Sequence, residues 1–352
     1  MVTQGAQAQT PTAPATQIFC AGATVGDLAA TTTGTGAEVK SLQWYEDATT
    51  TTILDPTDAL ASATYYVAQK TPQTITTLSS GFNVPHEVAI EADGSILVAD
   101  NGNQPIQRMT LDTDGNVLTT VNINAGFIRT TALAVEASGS ILVADSDNNL
   151  IKRLILGTDG LVSTIETLAS GLDRPGKIAI EADGNILVVE PTALKRITLD
   201  VDGNFISINT LRGGFSSLTN VAVEADGSIL IIDSGAENIQ RITLQANGAF
   251  SSIETLPGNF YSAIGIAVQA DGKILVAIRY QNTVIRMDAD GSNFETLVNS
   301  GLSFPEGMAL QADGSILVAD ASNNAIKRIT LESVSDRVAV GVTVGVPAPT
   351  GL

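Results

Sequence analysis

From residue 73 to 331 the apolar and polar positions of the chain keep one short rhythm. Small aliphatic clusters such as Val88, Ala89 and Ile90 run into an Asp-Gly or similar pair, and a second apolar run (Ile96, Leu97, Val98, Ala99) follows at once. A more polar segment with Ile106 and Met109 comes next, then another Asp-Gly pair and a looser segment. The pattern predicts four strands per unit, at 88–92, 95–100, 106–111 and 117–123, joined by the positive-φ residues that tight hairpins need. The second run is apolar at consecutive positions, so both faces of each small sheet must be covered.

The unit is repeated. Its turn glycine recurs as Gly94, Gly139, Gly184, Gly227, Gly272 and Gly314, at spacings of 45, 45, 43, 45 and 42 residues. A period in that range marks an array of supersecondary units. Small sheets that cover one another all round form a ring, and the predicted fold class is an all-β, six-bladed β-propeller. Five residues before each turn glycine stands an alanine (Ala89, Ala134, Ala179, Ala222, Ala267, Ala309), the size that suits crowded inner strands. Thirteen before it stand Gly81, Gly126, Gly171, Gly214, Asn259 and Gly301, predicted to take left-handed backbone where one blade crosses to the next. The sixth copy stops after its third strand, while residues 73–78 match fourth strands such as 163–168, so the N-terminal strand is expected to complete the last blade. A ring closed in that way leaves no free edge.

The string P-x-x-V-A-I-E-A-D-G-S-I-L-V-A-D-x-x-N-x-x-I-x-R resembles the NHL repeat, over about residues 73–331. The resemblance implies the propeller but not a function, because one propeller hosts binding scaffolds, signalling proteins, lyases and hydrolases. Outside it, F-C-A-G-A-T-V-G-D-L, K-S-L-Q-W-Y and A-T-Y-Y-V-A-Q, with the late strand R-V-A-V-G-V-T-V at 337–344, resemble the Ig-like modules of very large surface proteins of gliding, Bacteroidetes-type bacteria. The implied organisation is a linker at 1–16, an Ig-like β-sandwich at 17–72 plus 333–346, the propeller at 73–332 inserted into it, and a linker at 347–352. In that family the position of Cys20 is paired, so the resemblance implies that the insertion has displaced its partner and left a free, buried thiol. Trp44, the only tryptophan, is expected in the core.

Charge narrows the partners. Lys and Arg total 18 against 37 Asp and Glu, a net charge of −19, which disfavours a nucleic-acid partner. No apolar run reaches the ~20 residues of a membrane span, and no signal segment follows Met1. Pro-rich stretches near both ends read as joints between tandem modules. The expectation is a piece of a secreted cell-surface chain, flanked by neighbouring Ig-like modules and not inserted in the membrane.

Three sets of residues carry candidate chemistry. Arg108, Arg153, Arg196, Arg241, Arg286 and Arg328 share one register, and they are expected to form structural ion pairs with Glu91, Glu136, Glu181 and Glu224 or with Asp100, Asp145, Asp233 and Asp320. The turns beginning at Asp112, Asp200 and Asp288 echo the opening of a calcium loop but lack its distal glutamate, so no cofactor is expected, with calcium as the alternative. The single histidine, His86, excludes a multi-histidine zinc site.

Positions that vary while the scaffold repeats are where a propeller encodes recognition. On the face opposite the links to the Ig-like module these are His86, Glu87, Arg129, Arg174, Lys177, Asn220, Phe260, Tyr261, Arg279, Tyr280, Phe304 and Glu306. The fifth repeat breaks the pattern most, with V-A-I-R-Y at 276–280 in place of V-A-D. The expected function is a non-catalytic adhesion or ligand-binding module of a gliding-type surface protein, taking a glycan, polysaccharide or surface on that face. The alternative is a secreted propeller lyase or hydrolase acting near His86.

Overall fold

Ala89 pairs with Leu97 and Leu97 with Arg108, and the equivalent pairings recur in every repeat: Ala134, Leu142 and Arg153; Ala179, Leu187 and Arg196; Ala222, Leu230 and Arg241; Ala267, Leu275 and Arg286; Ala309, Leu317 and Arg328. The six turn glycines sit at φ between 84° and 88°, a region closed to most side chains, and this holds each hairpin in the same register. The structure, a computed structural model, describes residues 10–20, 23–31, 41–100, 102, 106–123, 126–127, 129–157, 160–335 and 337–345. It divides into one unit of Ile75–Gln311 and Ser315–Ile329, and another of Met1–Thr74, Ala312–Gly314 and Thr330–Leu352.

The larger unit consists of four-stranded antiparallel sheets. In the first blade the strands are Pro85–Ile90, Ile96–Asp100, Ile106–Leu111 and Val117–Ile123. First strands pack side by side in sequence (Pro85–Ile90, Thr130–Val135, Ile178–Ile180, Leu218–Val223, Ala263–Val268, Pro305–Leu310), and the last returns to the first. The ring is closed. Its last blade takes Thr74–Ser80 as fourth strand beside Ala325–Thr330, where Lys327 Nζ donates to Thr77 Oγ1 at 2.7 Å.

Second strands are buried between neighbouring blades. Ile96, Leu97, Val98 and Ala99 are all 0 % exposed: Leu97 and Ala99 pack with Ile141 and Val143 of the next blade, while Ile96 and Val98 pack with Leu317 and Ala319 of the previous one. Each buried Ile, Leu or Val of such a run stabilises by about 1.5–3 kcal/mol, so these consecutive apolar runs are the main cohesion between blades.

The arginine register is structural. Arg153 pairs with Glu136 at 2.7 Å and donates to Gly203 O of the next blade at 2.8 Å; Arg108, Arg196 and Arg241 likewise hold Glu91, Glu181 and Glu224. Where the glutamate gives way to Gln269 and Gln311, Arg286 turns to Glu295 and Arg328 Nε donates to Gln311 Oε1 at 2.9 Å. The repeat aspartates do something else. Asp100 accepts the Asn83 amide at 2.7 Å, Asp320 that of Ser303 at 2.6 Å, and Asp233 those of Ser216 and Ser217, so the buried carboxylate fastens the crossover loop. One crossover is also corrected: in the fifth repeat the left-handed residue is Gly258 (φ 125°) and not Asn259.

In the smaller unit a five-stranded sheet joins segments from both ends of the chain. Its order is Thr16–Cys20, Val338–Gly345, Ala63–Thr71 and Ser41–Tyr45, the first pair parallel, with Ser333–Val334 also beside Ala63–Thr71. Trp44 packs there with Val67, Val340 and Val342. The Cys20 side chain lies outside the described residues.

Candidate functional site

Five of the six inner strands open with an irregularity. The register shifts between Pro85 and Glu87, Leu218 and Asn220, Ala263 and Gly265, and Pro305 and Met308, and in the second blade between the partners Thr130 and Ala132. A bulge re-aims the side chains beside it, and bulges recur next to active sites. The residues seven places before the turn glycine are Glu87, Ala132, Lys177, Asn220, Gly265 and Gly307. These columns bring together groups from blades far apart in sequence.

Lys177 of the third blade reaches Glu87 of the first: Nζ lies 2.5 Å from Oε2 and donates to His86 O at 3.0 Å. Glu87 Oε1 accepts the Val88 amide at 3.1 Å. His86 Nδ1 pairs with Glu306 Oε2 of the sixth blade, and Arg279 Nη2 of the fifth stands 3.0 Å from Glu306 Oε1. Two glycines make the approach feasible. A Cβ on Gly307 would lie 2.3 Å from Glu87 Oε1, and one on Gly265 would lie 2.1 Å from Glu306 O. Asn220 closes another side by donating to Ile264 O at 2.7 Å.

The electrostatics follow from burial. Glu306 is 1 % exposed, which alone would push its carboxyl up; the hydrogen bond from His86, with the charges of Lys177 and Arg279 nearby, outweighs burial and holds it below the ordinary value. The charged carboxylate only accepts, so His86 Nδ1 carries the proton and donates it. That leaves Nε2 as the basic nitrogen, and among the described residues it has no hydrogen-bond partner.

Beside this chain of charges lies an aromatic shelf. Tyr261 and Tyr280, 52 % and 59 % exposed, stand with ring centres 6.3 Å apart, and Phe304 meets Tyr280 edge-on at 5.4 Å. The Arg279 guanidinium lies over the Phe304 ring at 5.4 Å.

The predicted residues thus separate by place. His86, Glu87, Lys177, Arg279 and Glu306 form one connected network, and Tyr261, Tyr280 and Phe304 flank Arg279. Arg129 and Arg174 are exposed, beside Asp147 at 4.0 Å and Asp173 at 3.6 Å. Phe260 is corrected: it is 1 % exposed and packs with Leu256, Ile266 and Val276. Sequence reasoning missed Gly265 and Gly307 and the pairings themselves. Reading the column Glu, Ala, Lys, Asn, Gly, Gly across the repeats would have shown large residues set against small ones.

The acidic turns keep their oxygens occupied. Asp112 Oδ1 accepts the amides of Asp114 and Asn116 at 2.9 Å, and the Asn116 bond first of all lowers its pKa. Asp288 is paired with Lys273 at 2.5 Å and Asn293 at 2.7 Å. Among the described residues no group of three or more His, Cys, Asp or Glu stands where it would hold a metal ion.

No protein-family model and no curated protein matches the chain. Solved structures do. A gluconolactonase from Xanthomonas campestris is similar at 14 % identity and a TM-score of 0.60, over 75 % of this chain and 90 % of that one. Virginiamycin B lyase from Staphylococcus aureus is similar at 14 % and 0.55, over 74 % and 99 %. An auxiliary nutrient binding protein from Bacteroides ovatus is similar at 10 % and 0.59, over 76 % and 83 %. The chain carries a β-propeller. The expectation of a non-catalytic module is corrected by these likenesses, since two of the three proteins are named as enzymes.

Proposed function

We propose that the propeller is a lyase or hydrolase with His86 as its base. The observation that carries this reading is the His86–Glu306 pair. A buried carboxylate fixes the imidazole tautomer, Arg279 and Lys177 keep that carboxylate charged, and Nε2 is left to take a proton. No serine, threonine or cysteine hydroxyl or thiol engages Nε2 among the described residues, so the proton comes from water or from an acidic C–H of the substrate. The neighbouring cations then oppose the negative charge that develops.

The finer setting is also our reading. The smaller unit is an Ig-like module hosting an NHL-type propeller at 73–332, and the chain works outside the cell as part of a long surface protein, on a glycan or other surface polymer. The parallel pairing of Thr16–Cys20 with Val338–Gly345, across the whole propeller sequence, supports the host role.

A screen of extracellular polysaccharides for shortened products, run with the native chain and with His86→Asn, tests the activity. Cleavage that vanishes in the variant while its melting temperature holds is the expected result. Unsaturated product ends mark a lyase and hydrated ends a hydrolase; cleavage unchanged in His86→Asn overturns the assignment.

A further inference from the structure

We infer that the site takes an acidic sugar unit, its ring seated on the Tyr261–Tyr280 shelf and its carboxylate on Arg279. The inference rests on the reading of this mouth as the active site and adds its substrate class. It starts from what the shelf leaves unused. The hydroxyls of Tyr261 and Tyr280 have no partner among the described residues, and both side chains are more than half exposed. Aromatic faces are negative, and the C–H edges of a pyranose, slightly positive, settle on them while its hydroxyls meet polar tips. A purely apolar ligand would leave the two phenol groups unanswered.

Arg279 decides between a neutral and an acidic sugar. Its Nη2 reaches Glu306, but Nη1 has no partner among the described residues, and a third of the side chain is open. Glu306 Oε1 likewise lacks an aligned hydrogen bond although it stands 3.0 Å from Nη2. A guanidinium left with a free edge beside an aromatic shelf is a fork for a second carboxylate.

The shelf is built, not loose. Ser262 and Phe304 hold left-handed backbone at φ 58° and 56°. The Arg279 amide donates to Ser262 O at 3.0 Å, the Tyr280 amide to Ser262 Oγ at 3.1 Å, and the Phe304 amide to Asn282 Oδ1 at 2.8 Å. A residue such as Phe in this conformation is uncommon, and preset geometry lowers the ordering cost of binding.

Titration calorimetry of the full chain with an oligomer of hexuronic acid, and with the matching neutral hexose oligomer, tests the inference. The acidic oligomer should bind at least about tenfold tighter, which corresponds to 1.4 kcal/mol. Arg279→Gln should erase that preference, and Tyr280→Ala should weaken both oligomers about tenfold with the melting temperature unmoved. His86→Asn should still bind. Equal affinity for the two oligomers, or a preference that survives Arg279→Gln, overturns the inference. His86-dependent cleavage of a polymer without acidic sugar, with no binding of the hexuronate, removes the acidic-sugar assignment and leaves the active-site reading standing. Hexuronate binding with the expected variant pattern but without turnover does the reverse.

Discussion

Lys177, immediately before the inner strand of the third blade, holds its ammonium 2.5 Å from Oε2 of Glu87, on the inner strand of the first. The pair passes over the second blade, whose equivalent residue is Ala132, too short to intervene. Their side chains are 8 % and 11 % exposed, so neither charge is answered by bulk water. The network around His86 depends on this bond, because the same ammonium also holds the His86 carbonyl.

Removing one partner should therefore hurt more than removing both. Lys177→Met leaves a buried carboxylate unpaired and should destabilise the propeller by about 3–5 kcal/mol. Adding Glu87→Gln should recover a good part of it. Chemical denaturation of the two single variants and the double variant measures the coupling, and additive losses would show that the two residues do not interact.

Gly307 should not tolerate a methyl group. A Cβ there would meet Glu87 Oε1 at 2.3 Å and both Glu87 Cα and His86 O at 2.8 Å, so backbone as well as a side chain would have to move. Gly307→Ala should cost about 1–3 kcal/mol and reduce turnover by displacing His86. Equilibrium unfolding with parallel rate measurements checks both effects, and a variant of native stability and rate would contradict the close approach.

The Glu306 pair predicts a pH dependence. Its folded pKa lies below the ordinary 4.5, so its contribution is fully present above that value and is lost as pH falls through the lower folded value. The melting temperature of the native chain should exceed that of Glu306→Gln at pH 7, and the gap should narrow steadily below about pH 4.5. A gap that widens on acidification would mean that the carboxyl is protonated in the folded state.

Two arginines should behave in opposite ways. Arg153, whose side chain is 10 % exposed, joins Glu136 to the next blade, and Arg153→Gln should lower stability by about 2–4 kcal/mol without touching ligand binding. Arg279→Gln should weaken binding of an acidic oligosaccharide while changing the melting temperature far less. Thermal melts alongside binding curves separate the two roles.

The strands, the turns and the ring were legible along the chain because they rest on local rules repeated many times. The recurring alanine of the inner strands, the doubly buried run from Ile96 to Ala99, the positive-φ glycine of each hairpin and the missing fourth strand of the last copy each state one constraint. The arginine register was legible for the same reason, since a residue kept in every copy serves what every copy shares. Phe260 was misplaced, because a break in the repeat tells which residues differ but not whether they face water.

The site itself was decided only in three dimensions. His86 and Glu306 lie at opposite ends of the propeller sequence, and Lys177 and Glu87 lie two blades apart; nothing local couples them. Ring closure makes the first and sixth blades neighbours, bulges turn the opening residues of the inner strands, and the missing side chains of Gly265 and Gly307 admit their partners. The repeat alone determined the scaffold, through local backbone and burial rules that act within one copy. Which side chains meet at its centre was determined by the tertiary structure, because that depends on the sizes and charges of residues drawn from several copies at once.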